Sequence, residues 1–536
     1  MAARSGTRTE IIVPRRTRID GFDLVVLSAF AGVSLWVLAL DLWQVIAHGR
    51  VWTGTDGVYL VDQMQYLAWI SDSSRHALAS NLFVLRDTPA DYLQPAVVLS
   101  GAISALGVAP WLSLLLWKPV AVGGAFYATR EYVHGSLGGA GARRVALVLG
   151  LFFASFSVIY GSFGVVGDLF PGFLLWGYPF GLLALAAMLL ALLAYERGRA
   201  AGRFVLAPAL LGALASSLHP WQGELLILTV IGAELQFWRR PLDRGAGRGL
   251  GPWVWGRLAG GGRLPAVTVV VTALPLAYYA VLGQTDLSWR FAREASKHSF
   301  SLGTIVLGLA PLGLVAAFGY RGRPRSFLAA ATRSWPIAAL VVYLVSATGV
   351  SATPLHAFEG ITIPLAVLAV GAVRRGGWDR LPRHRLLAWI AVGAATIPGG
   401  CYALISARTL VAPAGGNANF ITAQEHDALH YLARSSEPGG VITRFYLGSL
   451  IPGASARRTF VGDCLWSTPQ CTPRAKAAQA LFDGSLGPTA ARALVLLSGA
   501  RFVLADCQAA PGLAALLHPI TRSVHRFGCA AVYGVD

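Results

Sequence analysis

Asp56 and Asp62 stand six residues apart in a stretch reading Thr55-Asp56-Gly57-Val58-Tyr59-Leu60-Val61-Asp62-Gln63-Met64-Gln65-Tyr66-Leu67-Ala68-Trp69-Ile70. A carboxylate held beside an acceptor hydroxyl can serve as a general base, which makes Asp62 and its competitor Asp56 the candidate catalytic residues. Either can equally cap the helix that the following residues favour. His219 is followed by Glu224, and His356 by Glu359. A histidine so placed can bind a phosphate or act as an acid. The two stretches echo one another, Leu218-His219-Pro220-Trp221-Gln222-Gly223 against Leu355-His356-Ala357-Phe358-Glu359-Gly360, an echo that chance alone also produces. Lys118 lies inside the apolar run Leu114-Leu115-Leu116-Trp117-Lys118-Pro119, where a lysine neutralises a phosphate or snorkels to the interface. Asp168, Arg290, Arg293 and Lys297 complete the set. The candidate substrate- or phosphate-binding residues are thus Lys118, Asp168, His219, Glu224, Arg290, His356 and Glu359.

The elements that must position these groups are membrane helices. Of 536 residues, 55% are hydrophobic and 13% charged, against about 25% charged in soluble domains. The hydrophobics are clustered into runs such as 22–46 and 173–195. About 20 apolar residues cross a bilayer, and only a helix satisfies its backbone there. Spans are expected near 22–46, 111–128, 145–160, 173–195, 204–218, 221–238, 264–282, 302–319, 335–350, 361–373 and 386–407. The apolar stretch 93–107 is short and is expected not to cross.

The net charge of +18 is carried by arginines between these runs. They alternate with arginine-poor segments, so the charge reports topology and contact with lipid headgroups rather than nucleic acid. By the positive-inside rule, 1–20, 129–144, 196–203, 239–263, 320–333 and 374–385 are cytoplasmic. The segments 47–92, 161–172, 219–224, 283–301 and 351–360 are then outside, and they hold nearly all the candidate residues. Arg290, Arg293 and Lys297 break the charge bias of that face, which binding of an anion explains. The basic segment before the first run is followed by no cleavage site and reads as leading into a retained span. The first outer segment, 47–92, is long for a connection, and long loops are often functional. Tyr66, Trp69 and Ile70 fit one face of an amphipathic helix at the membrane surface, with Asp62 near its start.

After 408 the period and composition change. Thr422-Ala423-Gln424-Glu425 has capping-box form. Strands are expected at 441–446, 501–505 and 529–533, and helices at 473–482 and 488–498, a small α/β domain. Four of the five cysteines lie there, and Cys464–Cys471 with Cys507–Cys529 is one of three possible pairings. Their spacing is not that of a zinc site. No phosphate-binding loop, dinucleotide fingerprint or H-E-x-x-H stretch occurs.

The layout resembles the GT-C superfamily of integral membrane glycosyltransferases: a basic N-terminus, one span, a long first outer loop with aspartates and aromatics, many further spans and an external C-terminal α/β domain. The stretches Asp62-x2-Gln65-Tyr66-Leu67-Ala68-Trp69-Ile70 through Ser80-Asn81-Leu82-Phe83, Tyr446-Leu447-Gly448-x2-Ile451-Pro452 and Gly499-Ala500-Arg501-Phe502-Val503-Leu504 carry it. The adjacent acidic pair of many members and the aromatic signature of oligosaccharyltransferases are absent. The resemblance implies a sugar donor on a polyprenyl phosphate, an envelope glycan, lipid or protein acceptor, no nucleotide or other cofactor and often no metal (a divalent metal is not indicated here), and an aspartate of the first outer loop as base. A transporter or flippase, and a non-catalytic envelope assembly protein, are the competing readings.

The expected fold is a polytopic all-α membrane bundle of about 11–13 transmembrane helices with a small C-terminal extracytoplasmic α/β domain. Residues 1–21 form the cytoplasmic N-terminus, 22–407 the bundle and 408–536 the external domain of a multi-pass plasma-membrane protein.

Overall fold

The computed structural model describes residues 18–155, 164–238, 262–296, 301–347, 353–377 and 383–536. The basic N-terminal residues up to 17, the arginine-rich loop 239–261, part of the expected span 145–160, and Lys297 with His298 lie outside the described residues.

Among the described residues, seven helices are long and apolar enough to cross a membrane: Pro110–Ser136, Pro179–Ala200, Arg263–Thr285, Leu302–Tyr320, Phe327–Ser346, Pro354–Arg375 and His384–Leu410. The chain is a multi-pass membrane protein. The expected first span is two helices, Gly21–Ser34 and Trp36–His48, bent by 58° at Leu35; counted as one they make an eighth. Pro179–Ala200 and Pro354–Arg375 are central, with 78% and 83% of the span buried. Arg263–Thr285 and His384–Leu410 are peripheral at 22%, and present Val270, Leu274, Ile397 and Ile405 to lipid.

The helices Ala140–Phe152, Ala207–Leu218 and Pro220–Trp238 fill the gaps of the bundle. Ala207–Leu218 has 12 residues, about 18 Å at 1.5 Å per residue, shorter than the hydrocarbon core of about 30 Å. Pro95–Ala105 has 11 residues and is likewise too short to cross.

The arginine-rich ends gather at one pole. Arg144 pairs with Asp20 at 2.9 Å, Arg130 with Asp23 at 2.8 Å, and Arg375 donates to the Gly319 carbonyl at 3.1 Å. Arg130, expected in a loop, is buried in the last turns of its span, where Asp23 compensates its charge. The C-terminal domain packs at the other pole, on the first loop. Strand β1 (Val51–Trp52) pairs antiparallel with β2 (Phe420–Ile421).

The loop helix Leu60–His76 differs from the surface helix expected. Nearly everything from Gln63 to Ser73 is buried, because Pro95–Ala105 covers one side and the C-terminal helix Phe445–Ser455 another. The latter helix was missed in the sequence, which reads as strand from 441 to 446. Only Val441–Ile442 (β3) is extended.

The domain sheet has the order β3-β4-β6-β5, with β4 at Phe502–Ala505, β5 at Thr521–Phe527 and β6 at Ala530–Val535. β3 and β4 are parallel and the other pairs antiparallel. Side chains alternate across a strand. Phe502, Leu504, Ala530 and Val532 therefore face the helix Ala423–Arg434 and the loop helix. Val503, Ala531, Tyr533 and Val535 face the helices Cys471–Phe482 and Pro488–Ser498. Thr422 caps Ala423–Arg434 through the full capping box with Glu425. Of the three possible pairings of these four cysteines, the structure has Cys464–Cys471 with Cys507–Cys529.

Candidate active site

Between the bundle and the C-terminal domain lies a cavity of about 1000 Å³. One wall is apolar, from the helices Pro220–Trp238, Arg263–Thr285 and Phe327–Ala347. Asp62, Tyr178, His219, Glu224, His356 and Arg293 reach its surface.

Local chain chemistry positions each group. Asp62 sits in the first turn of the loop helix. The Tyr178 hydroxyl, just ahead of Pro179, donates to Asp62 Oδ2 at 3.3 Å. His219 ends one helix and precedes Pro220, which begins the next. A residue before proline is pushed to extended backbone, and His219 has φ −155° and ψ 105°. His356 lies in the short 3₁₀ turn Pro354–Phe358. That turn is entered through Thr353 at φ +37° and left through Gly360 at φ +71°. A non-glycine residue with positive φ is costly and concentrates at functional sites. At Gly360 a Cβ would also strike Leu185 at 2.6 Å.

The echoed segments meet. The His219 and His356 rings are 5.0 Å apart, and Gln222 Nε2 donates to Glu359 Oε2 at 2.8 Å. His219 Nδ1 lies 3.3 Å from the same oxygen. Glu359 Oε1 is 2.9 Å from His356 Nδ1, and Asp168 Oδ1 presses on the same nitrogen. None of these last three atoms has a partner in hydrogen-bond geometry, although all are buried. Buried polar atoms are rarely left so. The imidazole and the two carboxylates form a buried ion-paired cluster. His219, His356 and Glu359 place three ligand atoms within 4.8 Å of one another. Imidazole with carboxylate suits a transition-metal dication.

Burial pushes the carboxyl of Asp62 up to about 6; the charge of His356 opposes the rise and that of Asp168 adds to it. Asp463, in the C-terminal domain, is pushed up to about 7 by burial, and the charge of Asp62 adds to that.

Asp56 and Lys118 do not reach the cavity. They form an ion pair of 2.6 Å, both within 1% of full burial. Gln63 holds the Asp56 backbone by two hydrogen bonds of 3.0 and 3.1 Å and the Trp176 carbonyl by a third of 2.7 Å. The carboxylate Asp41 and Asn419 lie in the same cluster. Arg290 is exposed, its guanidinium 5.9 Å over Phe291. Its neighbour Arg293, one turn on, lines the cavity, and its Nε is buried without a partner. Asp168 and Glu359 stand behind His356 rather than on the cavity surface.

Sequence reasoning passed over Tyr178, Trp466 and Asp463, which no local pattern marks. Gln222 was visible only as the counterpart of Glu359 in the echo.

No protein-family model and no curated protein sequence matches the chain. Solved structures do. The oligosaccharyltransferase of Archaeoglobus fulgidus in its apo form aligns with 14% identity and a TM-score of 0.53, over 96% of this chain and 74% of that one. The same enzyme tethered to an acceptor peptide gives 14%, 0.52, 96% and 74%. ArnT from Cupriavidus metallidurans bound to undecaprenyl phosphate gives 13% and 0.49, over 95% and 97%. The chain therefore has the fold of the A. fulgidus oligosaccharyltransferase.

Proposed function

We propose that the chain is a membrane glycosyltransferase that moves a sugar from a polyprenyl-phosphate donor to an envelope acceptor on the face bearing the C-terminal domain. One observation carries the reading. A single cavity brings a half-buried carboxylate, Asp62, together with imidazoles, a guanidinium whose Nε has no partner and an apolar wall that opens among membrane helices. Such a cavity accommodates a charged headgroup and a hydrocarbon chain at once. A transporter would place its polar groups near the midplane between repeats; here they sit at one pole.

Asp62 is the base of this reaction. It removes the proton of the acceptor hydroxyl, whose oxygen attacks the anomeric carbon as the bond to the phosphate oxygen breaks. The polyprenyl phosphate departs with the electron pair. Tyr178 orients the Asp62 carboxylate through its hydrogen bond. Arg293, with its free Nε, and His219 take up the phosphate charge, the term in which preorganised donors contribute most. Asp56, neutralised by Lys118 and sealed from the cavity, fastens the loop instead. A divalent cation, if held by His219, His356, Glu359 and Asp168, would supply positive charge beside the phosphate.

The test is transfer of radiolabelled sugar from polyprenyl-phosphate donors in membranes containing the chain or its Asp62→Asn and Asp56→Asn variants. Transfer lost in Asp62→Asn with the protein still inserted supports the reading. Absence of transfer from every donor in the wild type, or transfer indifferent to Asp62→Asn, overturns it or its base.

A further inference from the structure

We propose that the acceptor is a carbohydrate, and that its accepting ring stacks on an aromatic wall made by Trp69, Tyr92, Trp289 and Trp466. The inference rests on the transferase reading and narrows its acceptor class.

All four rings line the cavity. Trp69 and Tyr92 have centroids 4.3 Å apart, Tyr92 and Trp289 4.7 Å, Trp289 and Trp466 4.8 Å, and Trp69 and Trp466 5.4 Å. They come from four places in the chain: the loop helix, the segment after it, the helix Leu287–Ala295 and the C-terminal domain. The wall therefore exists only where the domain closes on the bundle.

Packing alone would explain four clustered rings. It does not explain the unpartnered polar atom among them or the one three residues away. Trp466 Nε1 is buried with no hydrogen-bond partner, and so is Asp463 Oδ2 three residues earlier. Both residues are over nine-tenths buried, at 4% and 1% exposure. A buried indole N–H normally finds an acceptor. An orphan donor on the wall, with an orphan carboxyl oxygen in the same turn of the chain, is what the hydroxyls of a sugar ring satisfy. Its C–H face is apolar and weakly positive, matching the negative ring faces, and its hydroxyls both donate and accept.

The wall is also held in place. Asn81 Nδ2 donates to the Trp466 carbonyl at 2.9 Å, Ser467 Oγ donates to the Phe83 carbonyl at 2.9 Å, and the Cys464–Cys471 disulfide closes the loop that carries Trp466. A preorganised aromatic surface loses little entropy on binding.

The test uses the full-length chain in nanodiscs without donor, so that it reads binding and not transfer. Probes are arrays of neutral methyl-capped di- and trisaccharides and of peptides containing Asn, Ser and Thr, followed by tryptophan fluorescence. We expect a subset of the saccharides to bind and shift the emission. Trp289→Leu is expected to weaken binding about tenfold or more, in the range of one aromatic anchor, and Trp289→Phe to retain it, with unchanged melting temperatures. Trp466→Leu provides a second reading of the wall. Binding of peptides but no saccharide, binding of neither, or saccharide binding indifferent to both leucine variants overturns the inference. Since no donor is present, a chain that binds saccharides through this wall yet transfers no sugar would refute the transferase reading and leave the wall standing.

Discussion

Asp62 and Asp56 are chemically identical and six residues apart, yet their surroundings differ. Asp62 faces the cavity beside a hydroxyl. Asp56 faces an ammonium and is fully buried. Two predictions follow at this scale. With burial holding the Asp62 carboxyl at about 6, the group is a protonated acid below that pH and an active base above it. Transfer is expected to rise through about pH 6 and level off beyond, and Asp62→Asn to lower it by at least about 100-fold; initial rates from pH 5 to 8 measure both. A flat profile would remove Asp62 as base. Lys118→Met leaves the Asp56 carboxylate buried without its counter-charge, at a cost of about 3–5 kcal/mol. Thermal unfolding should show this loss, with the Asp56→Asn/Lys118→Met double variant recovering part of it. Equal stability of the single variant and wild type would mean that the pair fastens nothing.

At the scale of elements, the site is built where regular structure stops. His219 interrupts two helices at a proline, and His356 occupies a one-turn 3₁₀ segment between two residues of positive φ. These breaks free side chains to converge that a continuous helix would splay by 100° per residue. The echoed segments are thus a matched pair of interruptions. We expect the purified chain to retain close to one equivalent of a divalent transition metal by elemental analysis, and His356→Ala to lose it. A metal-free wild type with full activity would leave His356 as a cation bridging Asp168 and Glu359. Opening the loop that carries Trp466 tests another element. The Cys464→Ser/Cys471→Ser variant is expected to raise the acceptor KM several-fold while the donor KM stays within about twofold; a change confined to the donor would place this loop elsewhere in the reaction.

At the scale of the molecule, charge separates the two poles. Arginines, with Asp20 and Asp23, gather at one end; the cavity and the C-terminal domain occupy the other. The arginine pole is expected to be cytoplasmic. With Cys401 replaced by serine, Ser485→Cys in the domain should react with a membrane-impermeant thiol reagent in intact cells, and Ala140→Cys only after lysis. Both residues are exposed. The reverse pattern would invert the topology and put the site inside. Two disulfides in the domain accord with an oxidising exterior.

What the sequence by itself determined was whatever depends on local composition and period. Apolar runs force helices because lipid offers the backbone no partner. Arginine placement predicts a side for each loop. Capping residues and short apolar runs delimit elements of the domain, as at Thr422 and in β4 and β6. The strand expected at 441–446 proved shorter, and the helix Phe445–Ser455 escaped, because that helix is held by packing on the loop helix and the sheet rather than by propensity. Only the tertiary structure decided which ionisable groups share a site. Side chains from Asp62 to Arg293 meet across more than two hundred residues, and no local pattern encodes that distance. It placed Asp62 on the cavity and Asp56 in a buried pair, selected Arg293 over Arg290, and brought Trp466 from the far end of the chain to the aromatic wall. Such choices are set by how helices pack and by what each side chain finds opposite it.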